Sequence, residues 1–183
     1  MPSPTYVAIA KTVLTGSQAS VTFSSIPSTY TDLLIVFSVR GDATYETNNG
    51  TAMAMRINGS STAQYSVTTL QGSYGAAGSI RRTTGNADSF IRVYGGVDNN
   101  SWTANTFSSG EIYIPNYAGS TNKAISTIGV TENNSVTDAE LYAQGQLWSN
   151  TSAINSLEFT YTFNASSRFV SGSRFDLYGI KNS

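Results

Sequence analysis

The residues that could do chemistry in this chain are its carboxylates, because histidine and cysteine are both absent from the 183 residues. Their absence removes Ser-His and Cys-His nucleophiles, thiolate metal sites and the side chain that ordinarily moves protons near neutral pH. Paired carboxylates can still do general acid–base work, as in glycoside hydrolysis. The candidates in the second half are Glu111, Glu132, Asp138, Glu140, Glu158 and Asp176. None stands in a recognised catalytic spacing, and strand alternation puts Glu158 on a solvent face. They read as scattered charges that keep the molecule soluble. The expectation is a protein that is not an enzyme and holds no cofactor.

Two stretches, VDNN (97–100) and TENN (131–134), set an acid beside two amides. Such groups can give oxygen ligands to calcium, but neither has EF-hand spacing. Turn chemistry explains them more simply, since Asp and Asn side chains bond their own backbone in Asx-turns. Asn-x-Ser/Thr triplets at Asn58 and Asn150 are expected by chance in a chain this rich in those residues. Aromatic residues beside amides could stack on sugar rings or anchor an interface: Tyr74, Trp102 and Tyr117, the last next to Asn116. Arg81 and Arg82 are adjacent and could meet an acidic surface. These six are the candidate partner or glycan contacts, against the plainer reading that the aromatics cover strand ends and the arginines lie on a solvated face.

Any such residue has to be positioned by strands. In SVTF, Val21 and Phe23 alternate with Ser20, Thr22 and Ser24; in TAMAMRIN, Met53, Met55 and Ile57 alternate with Ala52, Ala54 and Arg56. LEFTYTF is the cleanest case, with Leu157, Phe159, Tyr161 and Phe163 inward and Glu158, Thr160 and Thr162 outward. Period-two alternation of this kind marks half-buried strands. DLLIVFSV is apolar on both faces, which predicts a central strand covered on both sides. Turn signals rich in Asn, Gly, Ser and Pro separate these segments at short intervals. No window carries a helical stripe; SVTDAELYAQ comes nearest, and its latter part reads as a strand. Eight to ten strands in one domain point to a sandwich or a barrel, and the favoured reading is an all-β, two-sheet antiparallel β-sandwich. The Gly-rich stretch at 70–88 breaks the alternation and is expected as a long loop. In EIYIPNYAGSTNK, Ile112 and Ile114 should enter the core, Pro115 should end the ladder, and Gly119 should supply a positive φ.

Composition bounds the function class. Charged residues are only 11% of the chain and the formal net charge is -1, so no basic surface is available for nucleic acid or anionic membrane. The longest strongly apolar run, LLIVF, is too short to cross a bilayer. The N-terminus lacks the pattern of a secretory signal. Ser and Thr on strand faces do less for solubility than Lys and Glu, and uncharged edges are open to pairing. Such surfaces suit a protein covered by neighbours in an assembly.

Four segments resemble a family: residues 20–40 with TFSSIPSTYTDL, 56–72 with RINGSSTAQYSVTTLQG, 110–126 with IYIPNYAGSTNK, and 147–180. In this order, and over nearly the whole chain, they are similar to small virion structural proteins of tailed bacteriophages of aquatic and cyanobacterial hosts. Residues 74–109 match least. The resemblance implies a jelly-roll-like sandwich on a virus particle, made in the host bacterial cytoplasm and assembled as a homotrimer. It implies capsid decoration or cementing, with the major capsid protein or other virion proteins as partners. The alternative is a receptor- or carbohydrate-binding module of a head or tail fibre, with a host surface glycan as ligand. Residues 1–6, with Pro2 and Pro4, would form an extended docking arm ahead of the sandwich at 7–183.

Overall fold

A computed structural model describes residues 5–43, 52–73, 76–132, 134, 139–161 and 166–181, with backbone alone at 76–77 and 81–88. Twelve strands and no helix occur among them: β1 (Tyr6–Val13), β2 (Ser20–Phe23), β3 (Asp32–Val39), β4 (Met53–Ile57), β5 (Tyr65–Ser73) and β6 (Ala76–Asp88), then β7 (Ile91–Val93), β8 (Ser108–Ile114), β9 (Lys123–Thr131), β10 (Glu140–Trp148), β11 (Leu157–Tyr161) and β12 (Arg174–Ile180).

The strands form two antiparallel sheets, one of eight in the order β1-β12-β3-β8-β9-β10-β5-β6 and one of four in the order β2-β11-β4-β7. The chain passes repeatedly from one sheet to the other. Counting the β8–β9–β10 meander as one strand and setting aside the β1–β12 pair leaves two four-stranded sheets, the frame of a jelly roll. The protein is therefore an all-β sandwich of jelly-roll type.

Alternation builds the core as the sequence predicts. Val21, Phe23, Met53, Met55, Ile57, Leu157, Phe159 and Tyr161 are all buried. Phe159 of the small sheet lies 6.3 Å from Phe23 and 5.2 Å from Phe175, which in turn meets Phe169 at 5.4 Å. Edge and tilted ring pairs of this kind bind the sheets beyond simple area burial. Ala52 and Ala54 are buried too, so β4 turns no small residue to water.

Four expectations need correction. The stretch at 70–88 is no loop: residues 70–73 complete β5 and 76–88 form β6, pairing Leu70 with Ile80 and Thr68 with Arg82. Glycine weakens a strand without forbidding it, and an edge position with one neighbour tolerates it. Second, β3 is central but covered on one face only, with Val36 36% exposed. Third, Tyr6 is no part of a free arm, because it opens β1 opposite Ile180; residues 1–4 of the expected arm lie outside the described residues. Fourth, the positive φ after β8 belongs to Asn116 (48°) and not to Gly119. Gly119 is needed for room, since a Cβ there would meet Asn116 Oδ1 at 2.2 Å.

Candidate interaction surface

The six sequence-predicted contact residues are not brought together. Trp102 lies in the connection 94–107 that leads into β8, whereas Asn116 and Tyr117 follow the far end of the same strand. Seven residues of strand separate the two ends of β8 by roughly 20 Å. Arg81 and Arg82 are on edge strand β6, opposite Thr69 and Thr68, and Tyr74 falls outside the described residues.

Neither described aromatic presents a face. Trp102 is 7% exposed and Tyr117 fully buried. The reason at Tyr117 is a hydrogen-bonded corner. Its hydroxyl donates to Pro27 O and accepts from Tyr30 N (3.4 Å), and its carbonyl accepts from Ile154 N (2.9 Å). Around it, Asp32 accepts from Asn116 N (2.8 Å) and from the Tyr113 hydroxyl (2.9 Å). Lys123, fully buried although a cation, donates to Gly119 O (2.7 Å) and Thr121 O. Desolvation pushes its pKa below the ordinary lysine value. Of the two candidate contacts here Asn116 is the exposed one, its Nδ2 donating to Thr121 Oγ1 (3.2 Å). The PNYAGSTNK turn is thus a structural corner.

The amide-rich stretches follow turn chemistry. Asn99 Oδ1 accepts from Ser101 N (2.9 Å), and Glu132 Oε1 accepts from Asn134 N (2.9 Å). No group of three acidic side chains comes together among the described residues. The carboxylates disperse likewise. Glu158 sits 3.6 Å from Arg56, and Asp176 pairs with Arg174.

What the fold does bring together is apolar and faces outward. Cross-strand pairing lines up Ile128 of β9, Ala143 of β10, Leu70 of β5 and Ile80 of β6 in one row on the outside of the large sheet. Leu70 is 54%, Ile80 77%, Ile128 47% and Leu141, in the next row, 53% exposed. Beside the row, Gly145 has nothing within 4 Å of where its Cβ would stand. The surface dips there into an open depression of ≈ 460 Å³ floored by Thr68, Ser126 and Gly145. The carboxylate of Glu111, opposite Ile128, bounds the patch on one side.

The inward face of the same strands is partly polar, with amides and hydroxyls set among the buried Tyr65, Val67, Ile125, Tyr142 and Trp148. Gln144, Gln146, Thr127 and Thr69 are buried. Gln144 accepts from Tyr94 N (2.9 Å) and donates to Arg92 O (3.0 Å), which also receives Gln146 (3.1 Å). These amides satisfy the free edge of β7, so the small sheet ends against glutamine side chains. Polarity is therefore inverted locally, around Gln144, Thr127 and Thr69, relative to a water-facing sheet. Sequence reasoning missed this. The alternation of β10 sets Leu141, Ala143 and Leu147 out of phase with Tyr142, Gln144 and Gln146, but it does not say which set faces in. Comparison with known families, curated proteins and solved structures returned no match for this chain.

Proposed function

We propose that this protein is a structural subunit of a tailed-bacteriophage particle, a decoration or cement protein that works by packing its large sheet against a neighbouring shell protein and catalyses nothing. The single observation carrying this reading is the uncharged row Ile128–Ala143–Leu70–Ile80 with Leu141, left outside on strands that bury Gln144, Gln146, Thr127 and Thr69 instead. An apolar sheet face rimmed by polar residues is the kind of surface that a partner covers. The depression over Gly145 gives a neighbour's side chain somewhere to enter. The jelly-roll frame and the phage-like words along the chain support the same reading, and through them the homotrimer. A glycan-binding module has less support, since two of its three platform rings, Trp102 and Tyr117, are buried and the third, Tyr74, lies outside the described residues.

The test is retention on expanded phage shells by the wild type and by the double variant Ile128→Lys, Leu141→Lys. Both positions are exposed, so the fold should survive, while desolvating two ammonium groups should weaken retention by tenfold or more, about 1.4 kcal/mol at least. Wild-type protein that ignores shells, or a double variant retained as well as wild type, overturns the proposal. A glycan-array signal unchanged by the two lysines would favour the sugar-binding alternative.

A further inference from the structure

A second unusual group of residues lies at the end of the sandwich opposite the PNYAGSTNK corner. The connection 94–107 leaves β7, crosses the inner face of β9 and re-enters the large sheet as β8. Gly95 (φ +65) makes the crossing possible, because a Cβ there would meet Gly129 O at 2.8 Å. The connection is then stitched to the end of β3. Gly41 N donates to Asp98 O (2.7 Å), Asp98 N to Val39 O (3.2 Å) and Asn100 N to Ala43 O (2.8 Å). Arg40, itself buried, gives its guanidinium to this segment. Nη1 reaches Thr103 O (2.9 Å), Thr106 O (2.9 Å) and Thr106 Oγ1 (3.1 Å), and Nη2 reaches Trp102 O (3.2 Å).

Inside this seam the Asp98 side chain is fully buried, and neither carboxylate oxygen has a hydrogen-bond partner among the described residues. The Thr106 hydroxyl is near but turns its hydrogen to Thr103 O (2.7 Å). Arg40 lies close enough to favour the anion, yet the hydrogen bonds above direct its guanidinium to carbonyls and to Thr106. Glu132, just past β9, adds like charge. Tyr161, at the end of β11, contributes a phenol that burial, Asp42 and Asp98 keep protonated. A buried carboxylate with unmet oxygens is costly when ionised. A cation would meet those oxygens, but Arg40 already supplies positive charge. The other unpartnered groups of the segment, Asn99 Nδ2 and Trp102 Nε1, are donors and supply no further ligand for one. The chemistry fits a proton better.

We propose that the connection 94–107 is an acid-tightened latch: protonation of Asp98 seats it on the end of β3, and ionisation loosens it. Burial raises the Asp98 pKa from 3.8 to about 6, with Arg40 and Thr106 opposing and Glu132 reinforcing. A raised folded-state value means that the carboxyl stabilises the seated form fully below its open-state pKa. That stabilisation is lost as pH rises through about 6.

Amide hydrogen exchange tests this in the wild-type protein, through the Gly41 and Asn100 amides as reporters and Ile154 N, bonded to Tyr117 O at the far end, as control. Linkage over the window from 3.8 to about 6 predicts protection at Gly41 and Asn100 about tenfold lower at about pH 7.5 than at about pH 5, with Ile154 unchanged. Asp98→Asn should abolish the difference. Should that variant fail to fold, carbon NMR of the wild-type Asp98 carboxyl decides, with a midpoint near 6 expected. A midpoint near 4, equal protection at both pH values, or an Asp98→Asn variant with the wild-type pH response overturns the latch. So does protection restored by millimolar calcium at about pH 7.5, which would make the unmet oxygens a cation's ligands.

Discussion

Among single residues, Asn116 separates a corner from a contact most sharply. It was a candidate contact in the sequence, and it is exposed, yet its backbone sits at φ 48°. In that region a residue with a Cβ costs on the order of 1 kcal/mol, least for Asn and nothing for Gly. Its side chain also holds Thr121 Oγ1 (3.2 Å). Asn116→Ala should therefore lower unfolding free energy by about 1 kcal/mol, while Asn116→Gly should change it by no more than a few tenths. Urea denaturation of the two variants checks this. If Asn116→Ala is as stable as wild type but no longer binds its partner, the turn is a working contact and the corner reading falls. Residue types alone could not say which neighbour of Pro115 takes the left-handed conformation, because both Asn and Gly favour it.

At the scale of strands, the sequence was readable where alternation meets a single core. SVTF and LEFTY turned inward the residues that their period demands, because each lies in the thin sheet with one apolar partner opposite; Phe163 lies outside the described residues. Reading failed where a strand's partner is polar. β10 alternates as cleanly as β11, but its inward set includes Gln144 and Gln146, whose amides close the edge of β7. Nothing in a one-dimensional pattern says that glutamine faces in and leucine out. The Gly-rich β6 was missed for a similar reason, since an edge strand is held by a ladder whose other half lies elsewhere in the chain. The inversion predicts opposite outcomes for two substitutions on one strand. Gln144→Leu, which an ordinary core would welcome, should cost about 1–3 kcal/mol by leaving Tyr94 N without its acceptor and removing a donor to Arg92 O. Leu141→Gln, on the exposed face, should cost less than about 0.5 kcal/mol. Equal effects in thermal and chemical unfolding would mean that the Gln amides do not hold the β7 edge.

For the molecule as a whole, fold class was open to sequence reading and the site was not. Composition narrowed the chemistry open to the side chains, and alternation with closely spaced turns favoured the sandwich that the structure shows. The placement of Trp102 and Tyr117 depended on where distant segments close over them: Arg40 and the end of β3 for one, Pro27 and Tyr30 for the other. A chain with so few charges fills its interior with phenols instead, and that has a consequence at alkaline pH. Tyr65, Tyr117 and Tyr161 are buried, and desolvation is the leading cause that raises the pKa of each above the ordinary 10.0. The stability that each contributes is present in full below about pH 10, where folded and unfolded chains are both protonated, and is lost as pH rises toward the folded value. The unfolded chain then releases protons that the folded one retains, so unfolding is driven by base. Ultraviolet titration should therefore find four of the eleven tyrosines ionising late, these three and Tyr113, whose hydroxyl donates to Asp32. The three buried ones should ionise together with the cooperative loss of native Trp148 fluorescence. Stability by urea should fall steeply above about pH 10. All eleven ionising in one step near pH 10 with native fluorescence intact would show that these phenols reach water without unfolding, and that the core around Phe159 and Tyr161 is more open than its packing implies.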